Sequence, residues 1–330
     1  MNLATNYLGL KLSNPLIVGA SPFCDNVKLA CQLQDAGAAA LVMRSLFEEQ
    51  IDLEQRALMH HLESTAESNP EATSYFPSYS EYHLSLDQYL RQIQNLKTQL
   101  KVPVIASLNG ARPGGWTHFA HRFQEAGADA VELNLYHLAT DPAVTGAEVE
   151  ASMLETVRSV VAAVRIPIAV KISPFHASPV NFVLQLEKAG AKGVVVFNRF
   201  YQPDFNLEDF EVHPQLKLSD SNELLLRLRW LANISPHLKG SLAATGGVHT
   251  AEDAIKALLA GAHTIQLVSV LLKHGPQCLH SILQGMIKWM VDHDYEGIDQ
   301  LRGALNQQRC PDPAAFERAN YIRVLQSWRV

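Results

Sequence analysis

An α/β fold of eight parallel strands closed into a barrel is what this 330-residue sequence predicts. Three observations carry it: a triplet repeated four times, an apolar run on either side of each triplet, and amphipathic stretches between the runs. The triplet is Ala-Gly-Ala, at Ala36-Gly37-Ala38, Ala126-Gly127-Ala128, Ala189-Gly190-Ala191 and Ala260-Gly261-Ala262. Each closes a helix-like segment, where glycine supplies the left-handed residue of a C-cap, and opens a strand-like one.

The runs after the triplets are Ala40-Leu41-Val42-Met43, Ala130-Val131-Glu132-Leu133, Gly193-Val194-Val195-Val196-Phe197 and Thr264-Ile265-Gln266-Leu267. They are short and β-rich, as buried parallel strands should be. Some way before each triplet lies another: Pro15-Leu16-Ile17-Val18, Pro103-Val104-Ile105-Ala106, Pro167-Ile168-Ala169-Val170 and Ser241-Leu242-Ala243-Ala244. Between the runs, Trp116, Phe119, Ala120 and Phe123 recur at helical spacing, as do Val180, Val183 and Leu184 after Pro179. Strands alternating with helices in this way give a (β/α)8 TIM barrel, with residues 1–330 as one domain. A doubly wound open sheet would carry a Gly-rich fingerprint after its first strand, where this chain has Gly19-Ala20-Ser21-Pro22-Phe23.

Bulk properties narrow the function. A formal charge of −6 without a run of Lys or Arg argues against nucleic acid or an anionic membrane, and leaves a small-molecule substrate. Cys24, Cys31, Cys278 and Cys310 lack C-x-x-C spacing, so reduced thiols are expected, with no disulfide frame and no metal. His60-His61 and the His118/His121 pair have no matching Cys or carboxylate set and read as surface. The N-terminus has no signal-like stretch and no later run is long enough to span a membrane, so a cytoplasmic protein is expected.

Barrel chemistry sits where the strands end at their carboxyl side. There the chain places Ser21, Arg44-Ser45, Asn109, Asn134, Lys171, Asn198-Arg199, Gly246-Gly247 and Ser269. Two polar segments, 46–86 and 199–222, interrupt the repeat at that end and are expected to be active-site loops. Residues 295–330 lie beyond the eighth unit as a helical extension, helix-like from Ala314 to Trp328. Gly246-Gly247, between a strand and a helix over Ala251 to Leu259, lets backbone N–H groups approach a phosphate. Lys171 is the one basic residue of its strand run, and its ammonium needs a negative partner. It reads as the partner of a reduced flavin's pyrimidine edge, as the Schiff-base nucleophile of an aldolase-type barrel, or as a solvated strand-end lysine.

Asn14-Pro15-Leu16-Ile17-Val18-Gly19-Ala20-Ser21, Glu132-Leu133-Asn134-Leu135, Val170-Lys171-Ile172-Ser173-Pro174 and Thr245-Gly246-Gly247-Val248 resemble, in order and spacing, the soluble class of the dihydroorotate dehydrogenase family. The resemblance spans roughly residues 1–305 and favours the flavin reading of Lys171. It implies an FMN-dependent oxidoreductase converting dihydroorotate to orotate in pyrimidine biosynthesis, and a homodimer. It further implies FMN contacts from Ala20, Ser21, Arg44, Ser45, Asn134, Lys171, Asn198, Gly246, Gly247 and Ser269.

The chain departs from the family pattern at several points. Arg44 stands where the family usually has Lys, and Val268 replaces the glycine before Ser269. The paired glycines before the sixth helix are absent from Leu218-Ser219-Asp220-Ser221-Asn222. On the substrate side the family's Ser-Cys-Pro-Asn is replaced by Tyr136-His137-Leu138-Ala139, which puts His137 where the cysteine base belongs. An imidazole, with an ordinary pKa of about 6.5, can accept a proton near neutral pH, so His137 and Lys171 are the expected catalytic residues. The Asn of the family's Leu-Pro-Asn loop is missing from the stretch Ser74 to Ser80, which points to another dihydro-heterocycle, or to a flavoprotein without turnover, as alternatives. Arg112 and Arg199 are candidate anion partners.

Overall fold

The computed structural model describes residues 1–48, 85–110, 115–199, 203–213, 216–318 and 320–327. The chain starts with an antiparallel hairpin of β1 (Thr5–Tyr7) and β2 (Leu10–Leu12). The next strands are β3 (Leu16–Ser21), β4 (Leu41–Phe47), β5 (Val104–Asn109), β6 (Ala130–Asn134), β7 (Ile168–Ile172) and β8 (Gly193–Val196). After a second hairpin, β9 (Asp204–Asn206) with β10 (Glu211–His213), come β11 (Ser241–Thr245) and β12 (Thr264–Leu267). Strands β3 to β8, β11 and β12 form a closed barrel, parallel throughout, with β8 pairing β11 to complete the ring. The predicted runs are these eight strands.

Helices α1 (Val27–Asp35), α2 (Leu86–Gln99), α3 (Gly115–Glu125), α4 (Gly146–Ala163), α5 (Pro179–Lys188), α6 (Leu224–Ile234) and α7 (Ala251–Ala260) wrap the outside, followed by α8 (Ser269–His274) and α9 (Gln277–Asp292). Capping boxes begin α2, α4 and α7 at Ser85, Thr145 and Thr250, satisfying N–H groups that the helices leave open. The glycines of all four Ala-Gly-Ala triplets have positive φ, the conformation a C-cap requires. Helix α3 buries Trp116, Phe119, Ala120 and Phe123 as its spacing predicts, whereas the buried face of α5 is Pro179, Phe182, Val183 and Leu186.

Because side chains alternate along a strand, every second residue enters the barrel lumen. Going up the barrel, the interior turns from apolar to polar: Ile105, Ser107 and Asn109 on β5, Ala130, Glu132 and Asn134 on β6, then Ala169 and Lys171 on β7. Hairpin β1–β2 plugs the apolar end, packing Tyr7, Leu8 and Leu12 against Ile17, Val42, Ile105 and the small Ala130, Ala169 and Ala243. Gly193 admits the plug, since a Cβ there would stand 2.6 Å from Leu8 Cδ2. The layers of α-helix then cover the strands' outward faces in one continuous apolar shell.

The C-terminal extension differs from the expected helix over Ala314 to Trp328. A 3-10 turn covers Pro313–Phe316, Glu317 is extended, and a separate helix α11 forms only over Asn320–Gln326, after the short α10 (Ile298–Leu301). Neither piece has a fully buried residue, and Phe316 alone of the two packs against the core, so little burial favours one continuous helix here. Among the described residues no helix is long and apolar enough to cross a membrane.

Candidate active site

At the carboxyl end of the strands the barrel opens into a cavity of about 370 Å3. Its wall takes Ala20 and Ser21 from β3, Arg44 and Ser45 from β4, Asn134 from β6, Lys171 from β7, Asn198 after β8, Gly246 and Gly247 after β11, and Ser269 at the start of α8. Every residue that the family resemblance implies for FMN therefore faces one space. Asn109, Tyr136, Phe197, Ser219 and Gln266 join them.

One end of the cavity is a buried charge system. Lys171 Nζ lies 3.5 Å from Glu132 Oε1, and the two side chains are 9% and 1% exposed. Glu132 Oε2 accepts a hydrogen bond of 2.5 Å from Gln266 Nε2. The negative partner that Lys171 needs thus comes from the neighbouring strand, inward-facing like the lysine, and Gln266 helps offset the cost of burying the carboxylate. Below them Tyr7 of the plug is fully buried, and burial, reinforced by the Glu132 charge, pushes its phenol well above its ordinary range. Asn198 Nδ2 donates to Asn134 Oδ1 at 2.9 Å, fixing both amides at the cavity edge. Ser45 and Ser107 share a 2.7 Å hydrogen bond, and Ser107 N–H donates to Tyr89 Oη, so β4 and β5 are locked just beneath the rim.

The other end is built by backbone. Gly246 and Gly247 have φ of +84° and +81°, and a Cβ on Gly247 would come within 2.4 Å of Leu224 N, so this turn lies hard against the start of α6. Gly247 N–H donates to Ser219 Oγ, and Ser219 N–H donates to Ser269 Oγ at 3.2 Å. The segment that lacks the family's glycines is thereby tied to both the Gly246-Gly247 turn and the start of α8. Val268 closes down on Gly19 rather than on this turn: a Cβ at Gly19 would meet Val268 Cγ2 at 2.8 Å. Arg227 is buried beneath Gly246, donating from Nε to Thr245 O and from Nη1 to Glu223 O. Burial pulls its pKa down, with the Glu223 carboxylate opposing the shift.

Two cations at the rim are already paired. Arg44 Nη2 stands 3.3 Å from Asp25 Oδ2, where burial raises the Asp25 pKa and Arg44 counters it. Arg199 Nη2 donates to Glu223 Oε1 at 3.0 Å. His137 does not reach the cavity. It is exposed and lines an adjoining hollow of about 210 Å3 with Trp116, Leu135, Val144 and Glu148, while Tyr136 borders both spaces. Sequence reasoning passed over Tyr136, Glu132 and Gln266 as site residues. For the latter two the signal was present: a charged or amide side chain in phase with inward-facing positions of an otherwise apolar strand. Arg112, His60, His61 and the stretch Ser74 to Ser80 lie outside the described residues. Of the other histidines, His121 faces Glu125 on the surface of α3 and His118 packs on Phe119.

The sequence matches the dihydroorotate dehydrogenase family model over residues 83–290. The chain belongs to the dihydroorotate dehydrogenase family. It is an oxidoreductase of that family, and the matched stretch runs from α2 to α9 and includes Glu132, Lys171 and the Gly246-Gly247 turn. Relatives include a putative dihydroorotate dehydrogenase A (fumarate) of Aeropyrum pernix, 28% identical over 212 residues, covering 62% of this chain and 68% of that protein. The catalytic subunit of a dihydroorotate dehydrogenase B (NAD(+)) of Thermoplasma acidophilum is 23% identical over 313 residues, covering 92% and 98%. The NAD-dependent dihydropyrimidine dehydrogenase subunit PreA of Escherichia coli is 23% identical over 336 residues, covering 94% and 78%.

Proposed function

We propose that the protein is an FMN-dependent oxidoreductase acting on a CH–CH bond of a small dihydro-heterocycle. The observation that carries this reading is the convergence of the ten implied FMN residues on one cavity, polar at both ends. The donor set suits the group: Lys171, Asn134 and Asn198 would hold the polar edge of the flavin ring, and Gly246, Gly247 and Ser269 the phosphate. Bound there, FMN supplies the hydride-accepting chemistry. Glu132 fixes Lys171 in place and supplies its counter-charge. That buried carboxylate also favours the flavin role of Lys171 over the Schiff-base role, which requires a neutral amine. Protons are handled by the Tyr136–His137 loop, of which Tyr136 borders the cavity, while His137 acts as the base only once the loop turns it in from the adjoining hollow.

Dihydroorotate is the first substrate to test, with pyrimidine biosynthesis as the pathway. A dihydropyrimidine lacking a carboxylate is the second, favoured by the Arg199–Glu223 pair, which neutralises a guanidinium that would otherwise attract the orotate carboxylate. On the same reading we infer a cytoplasmic, single-domain homodimer. The dimer is supported by hairpin β9–β10, which leaves Phe205, Leu207, Phe210 and Val212 in solvent. The test is the visible spectrum of the purified protein, followed by anaerobic addition of dihydroorotate and of dihydrouracil. Flavin absorbance that bleaches with one of them identifies the substrate class; a colourless protein that does not take up FMN overturns the proposal. Light scattering decides the dimer.

A further inference from the structure

The amino end of the barrel carries a second recess of about 600 Å3, on the face opposite the cavity described above. In a parallel barrel each helix-to-strand turn delivers the residues just ahead of a strand to this face. Ahead of β7, β8 and β11 those residues include Arg165, Lys192 and Lys239, and all three line the recess. Arg302, which follows α10, reaches it from the side. No carboxylate is among the lining residues.

Two acids stand at its edge and are held by lining residues, so that Asp299 offsets the charge of Arg302. Glu187 Oε1 accepts the backbone N–H groups of Lys239 and Gly240, and Asp299 pairs with Arg302 Nη2 at 2.8 Å. Arg165, Lys192 and Lys239 are exposed, and their side chains have no ion-pair partner among the described residues. Arg302 Nε is buried and donates to nothing. An orphaned buried donor and three uncompensated cations around one concavity, in a chain of net charge −6, concentrate positive potential where composition alone would not put it. The apolar part of the lining is Leu8, Val161, Val164 and Ile166.

We propose that this recess is an anion-binding site for a small molecule that joins a phosphate or pyrophosphate group to an apolar or planar body. Arg165, Lys192 and Lys239 hold the phosphate end, and the body packs on Leu8, Val164 and Ile166. Because Asn6, Leu8 and Gly9 of the plug line the same recess, occupancy ties the hairpin to the turns ahead of β7, β8 and β11.

The test is calorimetric titration of ADP, and separately of pyrophosphate, into the full-length protein in excess FMN, which keeps the rim cavity from taking the nucleotide. ADP is expected to bind one per chain, more tightly than pyrophosphate, and to raise the melting temperature. Reversing two exposed charges in Lys192→Glu/Lys239→Glu weakens it about tenfold or more. Three results overturn the proposal: no saturable binding of either probe at millimolar concentration, undiminished ADP binding by a folded charge-reversed variant, or ADP binding no tighter than pyrophosphate. A poly-glutamate peptide that binds where ADP does not would instead assign the recess to an acidic protein partner.

Discussion

The two ends of the barrel are finished in opposite ways. At the carboxyl end the lumen is left open and lined with Asn109, Asn134, Lys171 and Gln266, side chains that are expensive to bury. At the amino end the hairpin inserts Tyr7, Leu8 and Leu12 among small apolar residues and fills the space. One short strand can therefore serve both ends. On β6, Ala130 belongs to the packed floor, while Glu132 and Asn134, two and four residues later on the same side, belong to the site.

The largest effect is expected from removing the charge that makes burial of Glu132 tolerable. Lys171→Met leaves the carboxylate alone in the lumen and should cost about 3–5 kcal/mol in urea unfolding. Adding Glu132→Gln should restore most of it, because the buried charge is then gone as well. Equal stability of Lys171→Met and the parent would mean that the pair does not set the energetics of the rim.

Glycines at the two ends should answer differently to a methyl group. Gly247→Ala meets both a φ of +81° and the backbone of Leu224, and about 3 kcal/mol is expected along with loss of FMN binding. Gly193→Ala meets the flexible end of Leu8, with Ser241 O at 3.0 Å, so about 1–2 kcal/mol is expected with FMN binding kept. Fluorescence titration with FMN beside the melting curves separates the two. Loss of FMN in the floor variant would show that the ends are not independent.

Within the rim, loop chemistry can be set against cavity chemistry. Removing a general base costs on the order of a hundredfold in turnover, so His137→Ala should lose about that much on the substrate that bleaches the protein. Tyr136→Phe should lose under about tenfold on the same scale. The reverse order would move the proton-handling role to Tyr136.

The floor supplies the pH dependence. His263 sits just ahead of β12 at the floor, where burial, with Arg302 adding to it, lowers its pKa to about 4. The native imidazole is neutral between that value and the ordinary one, while the unfolded chain binds a proton. Stability is therefore complete above about pH 6.5 and declines as pH falls toward 4, by up to about 2 kcal/mol at pH 5. His263→Gln should flatten that decline in urea titrations at pH 7.5 and 5. An unchanged slope would assign the acid sensitivity to other groups.

The strands were legible because the same local chemistry recurs: Gly37, Gly127, Gly190 and Gly261 all cap helices with positive φ. The positions around the rim were legible for a related reason, since strand ends in a closed barrel converge whatever the loops do. The plug was not, because its strands have three residues each and its hold comes from contacts such as Leu8 N–H to Ser241 Oγ, 233 positions away. The orientation of His137 was illegible too. Its neighbour Tyr136 borders the cavity, and nothing in Tyr-His-Leu-Ala specifies which of two consecutive side chains turns inward.

Those distant contacts of the plug have a consequence for synthesis. Thr5 Oγ1 donates to His263 O and Leu8 N–H to Ser241 Oγ, so a segment synthesised before every barrel strand docks against some of the last barrel segments to be made. At about 5–20 residues per second the hairpin waits roughly 10–50 s, with Tyr7, Leu8 and Leu12 unburied, before its socket exists. The barrel is thus sealed from its beginning only when it is nearly complete.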